Sequence, residues 1–246
     1  MTTLQRPTQN RLLDALPPGT LARLMPHLEQ VALSPGEFLY DAGDQLKYVY
    51  FPTTGFVSLV KVMANGQVAE IAVVGNEGML GISTFIGDGI TPSRAVVQGE
   101  GFGYRLDQRI LMKEFNRDGS VLRILLRYTQ LVIARMAQAA ACNRYHSIEH
   151  QLCRLLLERL DRSPTVTLKA TQGQIATILG ARREGITEAA ARLQRAGLIQ
   201  THRGTITVLD RRGLEKAACE CYKVVRSAYK RLFKDSPRGK RLRVTG

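Results

Sequence analysis

Hydrophobic positions in the last third of the chain follow two periods in succession. Residues Gln174–Gly180 keep a helical spacing and end at a glycine, which tolerates positive φ. Residues Arg182–Arg195 predict a longer helix, whose apolar stripe consists of Ile186, Ala189, Ala190 and Leu193. Beyond that helix the period changes to two around Arg203-Gly204, which predicts a β-hairpin over 198–208. This order of elements is typical of a winged helix-turn-helix.

The second predicted helix carries the candidate DNA-reading side chains at the positions that fall off its apolar stripe. They lie in its first turns, where a recognition helix faces the major groove, and are Arg182, Arg183, Glu184, Thr187 and Glu188. A second set is expected to contact phosphates and so position the protein: Thr171, Gln172, Gln174 and the wing residue Arg203.

The segment from Val31 to about Tyr104 has a different sequence pattern, in which short β-prone runs alternate with glycines. The runs are Phe38–Tyr40, Tyr48–Phe51, Phe56–Val60, Val68–Val74 and Ala95–Val97. Many short strands with regular turns predict a β-barrel or roll rather than a βαβ unit. Asn65-Gly66 predicts a two-residue hairpin turn. A short helix over Thr8–Gln30, broken at Pro17–Gly19, is expected to precede the strands.

Residues 106–160 have a helical pattern that is interrupted only near Asp118-Gly119. The apolar positions form a near-heptad stripe: Leu122, Leu125, Leu126, Thr129, Val132, Ile133, Met136 and Ala140. A helix with such an apolar stripe packs either against the barrel of its own chain or against a partner chain. We favour a homodimer, because two-fold symmetry presents two recognition helices to a palindromic site.

Together these patterns predict an α+β protein with four parts. They are an N-terminal β-roll (10–106), a long dimerisation helix and hinge (107–160), a C-terminal winged helix-turn-helix (161–234) and a disordered basic tail (235–246).

The charge distribution supports a nucleic-acid partner for the carboxyl-terminal third alone. Residues 161–246 hold 19 Lys and Arg against 7 Asp and Glu, whereas residues 1–160 hold 16 against 14. Such a basic domain implies a polyanion, here double-stranded DNA. A membrane partner is not expected, because the chain lacks a lipidation signal and an apolar run of about 20 residues. Without a signal-like amino terminus the protein is expected to be cytoplasmic, with reduced cysteines.

Two histidines and two cysteines share a spacing that would place them on one face of a continuous helix: Cys142, His146, His150 and Cys153. They span about 16 Å along the helix axis, so one metal ion cannot contact all four. At most an i, i+4 pair joined by a partner chain would bind a metal, and a polar face near the hinge is favoured. Cys219 and Cys221 are expected on nearly opposite faces of a helix. We therefore predict no metal site.

The order of β-roll, long helix and winged helix-turn-helix resembles that of the CRP/FNR family of bacterial transcription regulators. The resemblance is carried by Pro35-Gly36-Glu37 through Gly43-Asp44, by Tyr48–Phe51 with Gly55, and above all by Gln174–Gly180 followed by Arg183-Glu184. It implies that Arg183 contacts guanine or phosphate, that Glu184 accepts from a cytosine amino group, and that RNA polymerase is a partner. It also implies that the roll is a cyclic-nucleotide-binding-like jelly roll, an effector domain that biases a hinge near His146–His150 between two dimer states.

The resemblance places the effector site on the roll, at Gly81, Ser93 and Arg94. In the family a glutamate binds the ribose hydroxyl, but Ile82 stands at that position here and cannot accept a hydrogen bond. No Ser or Thr lies between Thr129 and Ser147 to contact a base. No cofactor is required by the sequence; a cyclic nucleotide or dinucleotide is an open effector class in which cyclic AMP is disfavoured. The amino-terminal cysteines that an iron–sulfur sensor needs are absent.

The chain carries no enzyme motif: there is no nucleophile elbow, Walker loop or HExxH sequence. The sequence thus predicts a sequence-specific, homodimeric DNA-binding transcription regulator with no catalytic residues. Two alternatives stay open. One is a non-specific architectural DNA-binding protein held by charge alone. In the other the β-roll is a docking module for a second protein and binds no small ligand.

Overall fold

The computed structural model describes residues 6–117, 119–163 and 165–234. The α-helices of these residues are α1 (Arg11–Asp14), α2 (Pro18–Leu24), α3 (Ser83–Ile86), α4 (Gln108–Arg117), α5 (Gly119–Tyr145), α6 (Ile148–Leu160), α7 (Gln172–Leu179), α8 (Arg183–Arg195), α9 (Arg211–Ala217) and α10 (Glu220–Leu232). The strands are β1 (Glu29–Leu33), β2 (Phe38–Tyr40), β3 (Tyr48–Pro52), β4 (Phe56–Val62), β5 (Val68–Val74), β6 (Arg94–Gly99), β7 (Gly101–Asp107), β8 (Thr167–Lys169), β9 (Ile199–His202) and β10 (Thr205–Val208).

The described residues form two compact units. The first contains residues 6–60, 72–133 and 228–234, and the second contains residues 61–71 and 134–227. The predicted basic tail, 235–246, lies outside the described residues. No helix in the described part of the chain is both long enough and apolar enough to cross a lipid bilayer.

The strands β1 to β7 build two sheets of the predicted β-roll, in the orders β1-β7-β3 and β2-β6-β4-β5. Every β-prone run named above lies in a strand, but β1 and β7 lie beyond those runs. Positions 101 and 103 of β7 are glycines because the backbone of a neighbouring segment comes close to each of them. A Cβ at Gly101 would lie 2.4 Å from the Gly55 nitrogen. Glycine here permits close approach of two chain segments, not only a turn.

Two local predictions in this region were wrong. The β4–β5 connection spans five residues, 63–67, instead of a two-residue turn, although Gly66 has the expected positive φ of 79°. The predicted break of the amino-terminal helix at Pro17–Gly19 is confirmed, since α1 ends at Asp14 and α2 begins at Pro18, but the predicted end at Gln30 was wrong, because residues 29 and 30 already belong to β1. Proline disfavours the helical conformation of the residue before it, which separates α1 from α2 at Pro17-Pro18.

Helix α5 is fixed to the first unit through Tyr128, which is fully buried. The Tyr128 hydroxyl donates to the Met79 carbonyl at 2.8 Å and accepts from the Met79 nitrogen at 3.0 Å. The ring occupies the space beside Gly78, where an added Cβ would lie 2.3 Å from the hydroxyl. Gly78 therefore serves the packing of α5 through the absence of a side chain.

The helical region has a second interruption that the sequence analysis missed. Helix α5 ends at Tyr145 and α6 begins at Ile148. Ser147 caps α6, because its hydroxyl accepts from the His150 nitrogen. A serine just before an apolar helical pattern is the sequence signal of such a start. The four cysteines and histidines between 142 and 153 consequently do not share one continuous helix, which corrects the prediction of a single face.

The second unit contains the predicted winged helix-turn-helix, whose helices and strands share one hydrophobic core. The predicted stripe of α8 is confirmed, since Ile186, Ala189, Ala190 and Leu193 are all at most 1% exposed. The predicted hairpin forms β9 and β10, and β8 adds a third strand in the order β8-β10-β9. Helices α9 and α10 follow the wing.

A cluster of ion pairs is buried in this unit around Glu158. Its carboxylate accepts from Arg135 at 2.7 Å and from Arg154 at 3.1 Å, and all three side chains are at most 10% exposed. Burial raises the pKa of Glu158, but the charges of Arg135, Arg154 and Arg162 outweigh it and lower the pKa to about 2. Arg159 pairs with Glu70 in the same unit.

Candidate nucleic-acid interface

Helix α7 begins with a capping box. The Gln174 nitrogen donates to the Thr171 hydroxyl at 3.2 Å, and the Thr171 nitrogen donates to the Gln174 side-chain oxygen at 2.8 Å. This pattern satisfies two backbone donors that the helix start would otherwise leave unpaired. Both side chains remain exposed. Two of the predicted phosphate contacts thus lie at the amino terminus of a helix, where backbone N–H groups and the helix dipole favour anions.

The turn between α7 and α8 is made by Gly180, which takes the left-handed conformation with φ 62°. Helix α8 then begins at Arg183, with Arg182 as its N-cap residue. The predicted base-reading side chains are at least partly exposed, and none is buried: Arg182, Arg183, Glu184, Thr187 and Glu188. They lie in the first turns of α8, so one solvent-facing surface carries two guanidinium groups, a hydroxyl and two carboxylates.

Two hydrogen bonds and one close contact hold this surface in place. The Thr187 hydroxyl donates to the Gln172 side chain at 2.7 Å, which joins α8 to α7. Arg192 binds Glu149 at 2.6 Å, which joins α8 to α6. Gly185 packs against α6, since an added Cβ would be 2.6 Å from Ile148 Cδ1. The glycine costs about 1 kcal/mol in helix propensity, and its lack of a side chain leaves room for Ile148.

The wing presents Arg203 at the turn between β9 and β10. Arg203 is exposed and has a φ of 30°, while the following Gly204 has a φ of 77°. A side chain at the tip of a two-residue turn extends away from the sheet, as a contact to the DNA backbone requires.

The three residues proposed for an effector do not form an open site. The Arg94 guanidinium donates to both carboxylate oxygens of Asp41, at 2.5 and 3.0 Å, and lies over the Phe38 ring. This hydrogen bonding lowers the pKa of Asp41. Ser93 is buried, and its carbonyl accepts from Thr91. A phosphate at Arg94 would therefore have to displace a carboxylate.

Gly81, the third of these residues, is buried with a φ of 96°, and a Cβ there would be 3.0 Å from the Val49 side chain. The roll has a cavity of about 240 Å³ at another place, which contains none of the three predicted residues. Its lining is Leu39, Tyr40, Asp44, Gln45, Leu46, Lys47, Tyr48 and Tyr50.

A cluster of three thiols and an imidazole lies in the second unit and was missed by the sequence analysis. Cys142 and His146 are joined by Cys219 and Cys221, not by His150 and Cys153. Cys219 precedes the first residue of α10, so it and Cys221 are not on opposite faces of one helix, as had been predicted. Burial raises the pKa of the Cys142 thiol to about 12 and also raises that of Cys219. Recognition of Glu220 as the acidic start of a helix would have placed Cys219 outside α10, but no sequence signal brings Cys219 and Cys221 to Cys142 and His146.

Two family models match the chain, one over the roll and one over the helix-turn-helix. Residues 30–118 match the cyclic nucleotide-binding domain, and residues 150–217 match the Crp-like helix-turn-helix domain. A search of curated proteins gives no match.

Solved structures share the fold at low sequence identity. A putative transcriptional regulator of the CRP/FNR family from Eubacterium rectale is 18% identical, with a TM-score of 0.65 over 85% of this chain and 98% of that one. A CRP-family transcriptional regulator from Thermus thermophilus is 21% identical, with a TM-score of 0.63 over 77% and 96%. The c-di-GMP-responsive global regulator CLP from Xanthomonas campestris is 14% identical, with a TM-score of 0.60 over 78% and 99%.

A cyclic nucleotide-binding roll followed by a long helix and a DNA-binding helix-turn-helix defines a transcription regulator and not an enzyme. The chain belongs to the CRP/FNR family.

Proposed function

We propose that the protein is a homodimeric, sequence-specific regulator that binds a palindromic operator through the first turns of α8. The solvent-facing surface of Arg182, Arg183, Glu184, Thr187 and Glu188 carries this proposal. It combines donors suited to guanine with carboxylate acceptors suited to cytosine, on a helix whose opposite face is fully buried. In this role Thr171, Gln172, Gln174 and Arg203 contact phosphates. By family resemblance, the bound dimer then contacts RNA polymerase.

Selection of binding sites from a random duplex pool, at about 0.15 M salt, tests this function. The proposal predicts enrichment of a palindrome whose half-sites are separated by about one helical turn. Binding with no sequence enrichment, in the absence and presence of candidate nucleotides, would instead support a non-specific architectural protein that depends on charge.

The proposed dimer interface is the exposed face of α5. Leu126 and Ile133 are 46% and 59% exposed, and Ala140 continues the same seven-residue spacing on an exposed position. These three residues occupy one repeating position of a heptad, as residues at a helix–helix contact do. The predicted stripe combined two faces, however, because Leu125 and Val132 are buried within the protomer.

Replacement of Ile133 by glutamate is expected to convert the dimer into a monomer. Each protomer loses an apolar contact worth about 1.5–3 kcal/mol, and two like charges then face each other across the two-fold axis. The dissociation constant of the dimer should rise at least about 100-fold, which light scattering across a dilution series measures. The matched control is Ile86→Glu, since Ile86 is 49% exposed on α3 in the roll. An unchanged dimer in the Ile133 variant would place the interface elsewhere.

We further propose that the roll sets DNA-binding activity through a ligand other than cyclic AMP, or without any ligand. Two observations support this: Ile82 offers no ribose acceptor, and Arg94 is bound to Asp41. The response of the Xanthomonas regulator to c-di-GMP makes cyclic dinucleotides one class for titration calorimetry. The test includes cyclic AMP and cyclic GMP. Absence of binding to all of them would favour a roll that docks a second protein.

A further inference from the structure

The cluster of Cys142, His146, Cys219 and Cys221 has the geometry of a tetrahedral metal site. One ligand atom from each residue lies within 4.8 Å of all the others. The Cys142 and Cys219 sulfurs are 3.7 Å apart, and the Cys221 sulfur is 3.5 Å from His146 Nδ1. In a tetrahedral zinc site, bonds of about 2.3 Å to sulfur and 2.0–2.1 Å to nitrogen place these pairs about 3.8 and 3.6 Å apart. Two of the six distances between ligand atoms thus match the edges of such a tetrahedron, and the four ligand atoms all lie within 4.8 Å of one another.

The chain brings these four residues together from two places. Cys142 and His146 lie one helical turn apart at the carboxyl end of α5, with His146 just beyond the last helical residue. Cys219 and Cys221 flank Glu220 at the junction of α9 and α10. All four belong to the second unit. The pairing thus joins the end of the long helix to a segment just beyond the residues matched by the helix-turn-helix family.

Neighbouring polar groups are placed as the outer shell of a metal site requires. His146 presents Nδ1 to the thiols, while its Nε2 lies 3.3 Å from the Glu220 carboxylate. A ligating histidine typically donates its other ring N–H to a carboxylate, which fixes the ring and its tautomer. The Gln138 side chain donates to the Cys221 sulfur at 3.0 Å, as it would to a thiolate. Neither arrangement is needed for a simple packing contact between thiols.

We propose that Cys142, His146, Cys219 and Cys221 bind one Zn²⁺ per chain in a closed structural site. Three thiolates and an imidazole are a soft, four-coordinate set with no open position for a substrate. Binding releases the three thiol protons to solvent, together with any proton on Nδ1 of His146. The three sulfurs and Nδ1 then each form one bond to the ion. The site fastens the carboxyl end of α5 to the start of α10, so its loss removes a cross-link within the second unit. The proposal does not depend on DNA binding.

Metal analysis of the reduced, full-length protein tests the site directly. We expect about one zinc per chain after purification without added metal. Replacement of that zinc by Co²⁺ should produce the thiolate charge-transfer absorption and the strong visible bands of tetrahedral cobalt. Another metal at that stoichiometry would overturn the assignment to zinc. A Cys142–Cys219 disulfide under reducing conditions, or no bound metal after zinc reconstitution, would overturn the site itself.

Substitutions assign the ligands. Cys142→Ala and Cys221→Ala should each lose the cobalt spectrum of four-coordinate thiolate binding, whereas Cys153→Ala should keep it. Cys153 is the matched control because it is an equally buried thiol that lies outside the cluster. An unchanged spectrum in both ligand variants would contradict the proposal.

Glu220→Gln keeps the test decisive if the cysteine variants do not fold. The Glu220 side chain is 69% exposed, so the substitution leaves the core unaltered. As a positioning residue, Glu220 should affect zinc affinity by about 10- to 100-fold, measured by competition with a chromophoric chelator. Equal affinities in Glu220→Gln and the unmodified protein would overturn the assigned role of Glu220.

Discussion

Replacing Arg183 by alanine is expected to weaken operator binding by about 10- to 100-fold, because one bidentate base contact is worth about 1–3 kcal/mol. Glu184→Ala should relax the preference for the base pair that this carboxylate contacts. Both residues are exposed in the first turn of α8, and neither belongs to the core. Titration of the selected site and of single-base variants, at one fixed salt concentration, measures both effects.

Arg195→Ala is the control for charge. It removes one exposed positive charge from the last turn of the same helix, which is too far from the groove to read a base. We expect this variant to lose little affinity and no sequence preference. If all three variants weakened every DNA sequence equally, binding would be purely electrostatic and α8 would not read bases.

Replacing Glu158 by glutamine is expected to lower the free energy of unfolding by about 3 kcal/mol or more, since it leaves buried arginines without a counter-charge. Arg135 and Arg154 both bind this carboxylate and are themselves buried. Urea unfolding measures the loss. Glu188→Gln is the control, because Glu188 is 73% exposed and lies 3.9 Å from Arg192. A change of less than about 0.5 kcal/mol at position 158, the usual range for a surface site, would contradict the assigned role of the ion cluster.

The same carboxylate predicts how stability depends on pH. Its pKa is about 2 in the folded protein, below the usual value of 4.5. The unfolded chain therefore binds the proton more readily. The stabilisation by Glu158 is complete above the usual pKa of 4.5, and it is lost as the pH falls towards 2. Glu158→Gln lacks this component, so its stability should fall less steeply than that of the unmodified protein over this interval.

The α8 surface was predictable from sequence because one helix imposes its own periodicity. Its buried stripe and exposed first turns depend only on the spacing of Ile186, Ala189, Ala190 and Leu193, and all four are buried as expected. Strands β2 to β6 of the roll were also predictable, because each is a short run of β-prone residues next to a glycine-containing turn. Strand β7 was not, because its glycines are required by backbone atoms of residues distant in sequence.

Local sequence patterns did not predict the features that depend on contacts between residues distant in sequence. Periodicity assigned Cys142, His146, His150 and Cys153 to one face, but the capped start of α6 at Ser147 ends that face. The thiol that lies against Cys142 belongs to Cys219, which is 77 residues away in sequence. Arg94 shows the same limit, since its partner Asp41 is separated from it by 53 residues.

Dimethyl sulfate footprinting of the selected operator tests the central claim most directly, because it probes guanine N7 in the major groove. The account predicts two protected clusters of guanines about 10 base pairs apart, one for each α8 of the dimer. It also predicts that Arg183→Ala loses this protection under conditions where the DNA stays bound. Bound DNA whose guanine N7 atoms remain fully reactive in both half-sites would contradict the claim that α8 reads bases in the major groove.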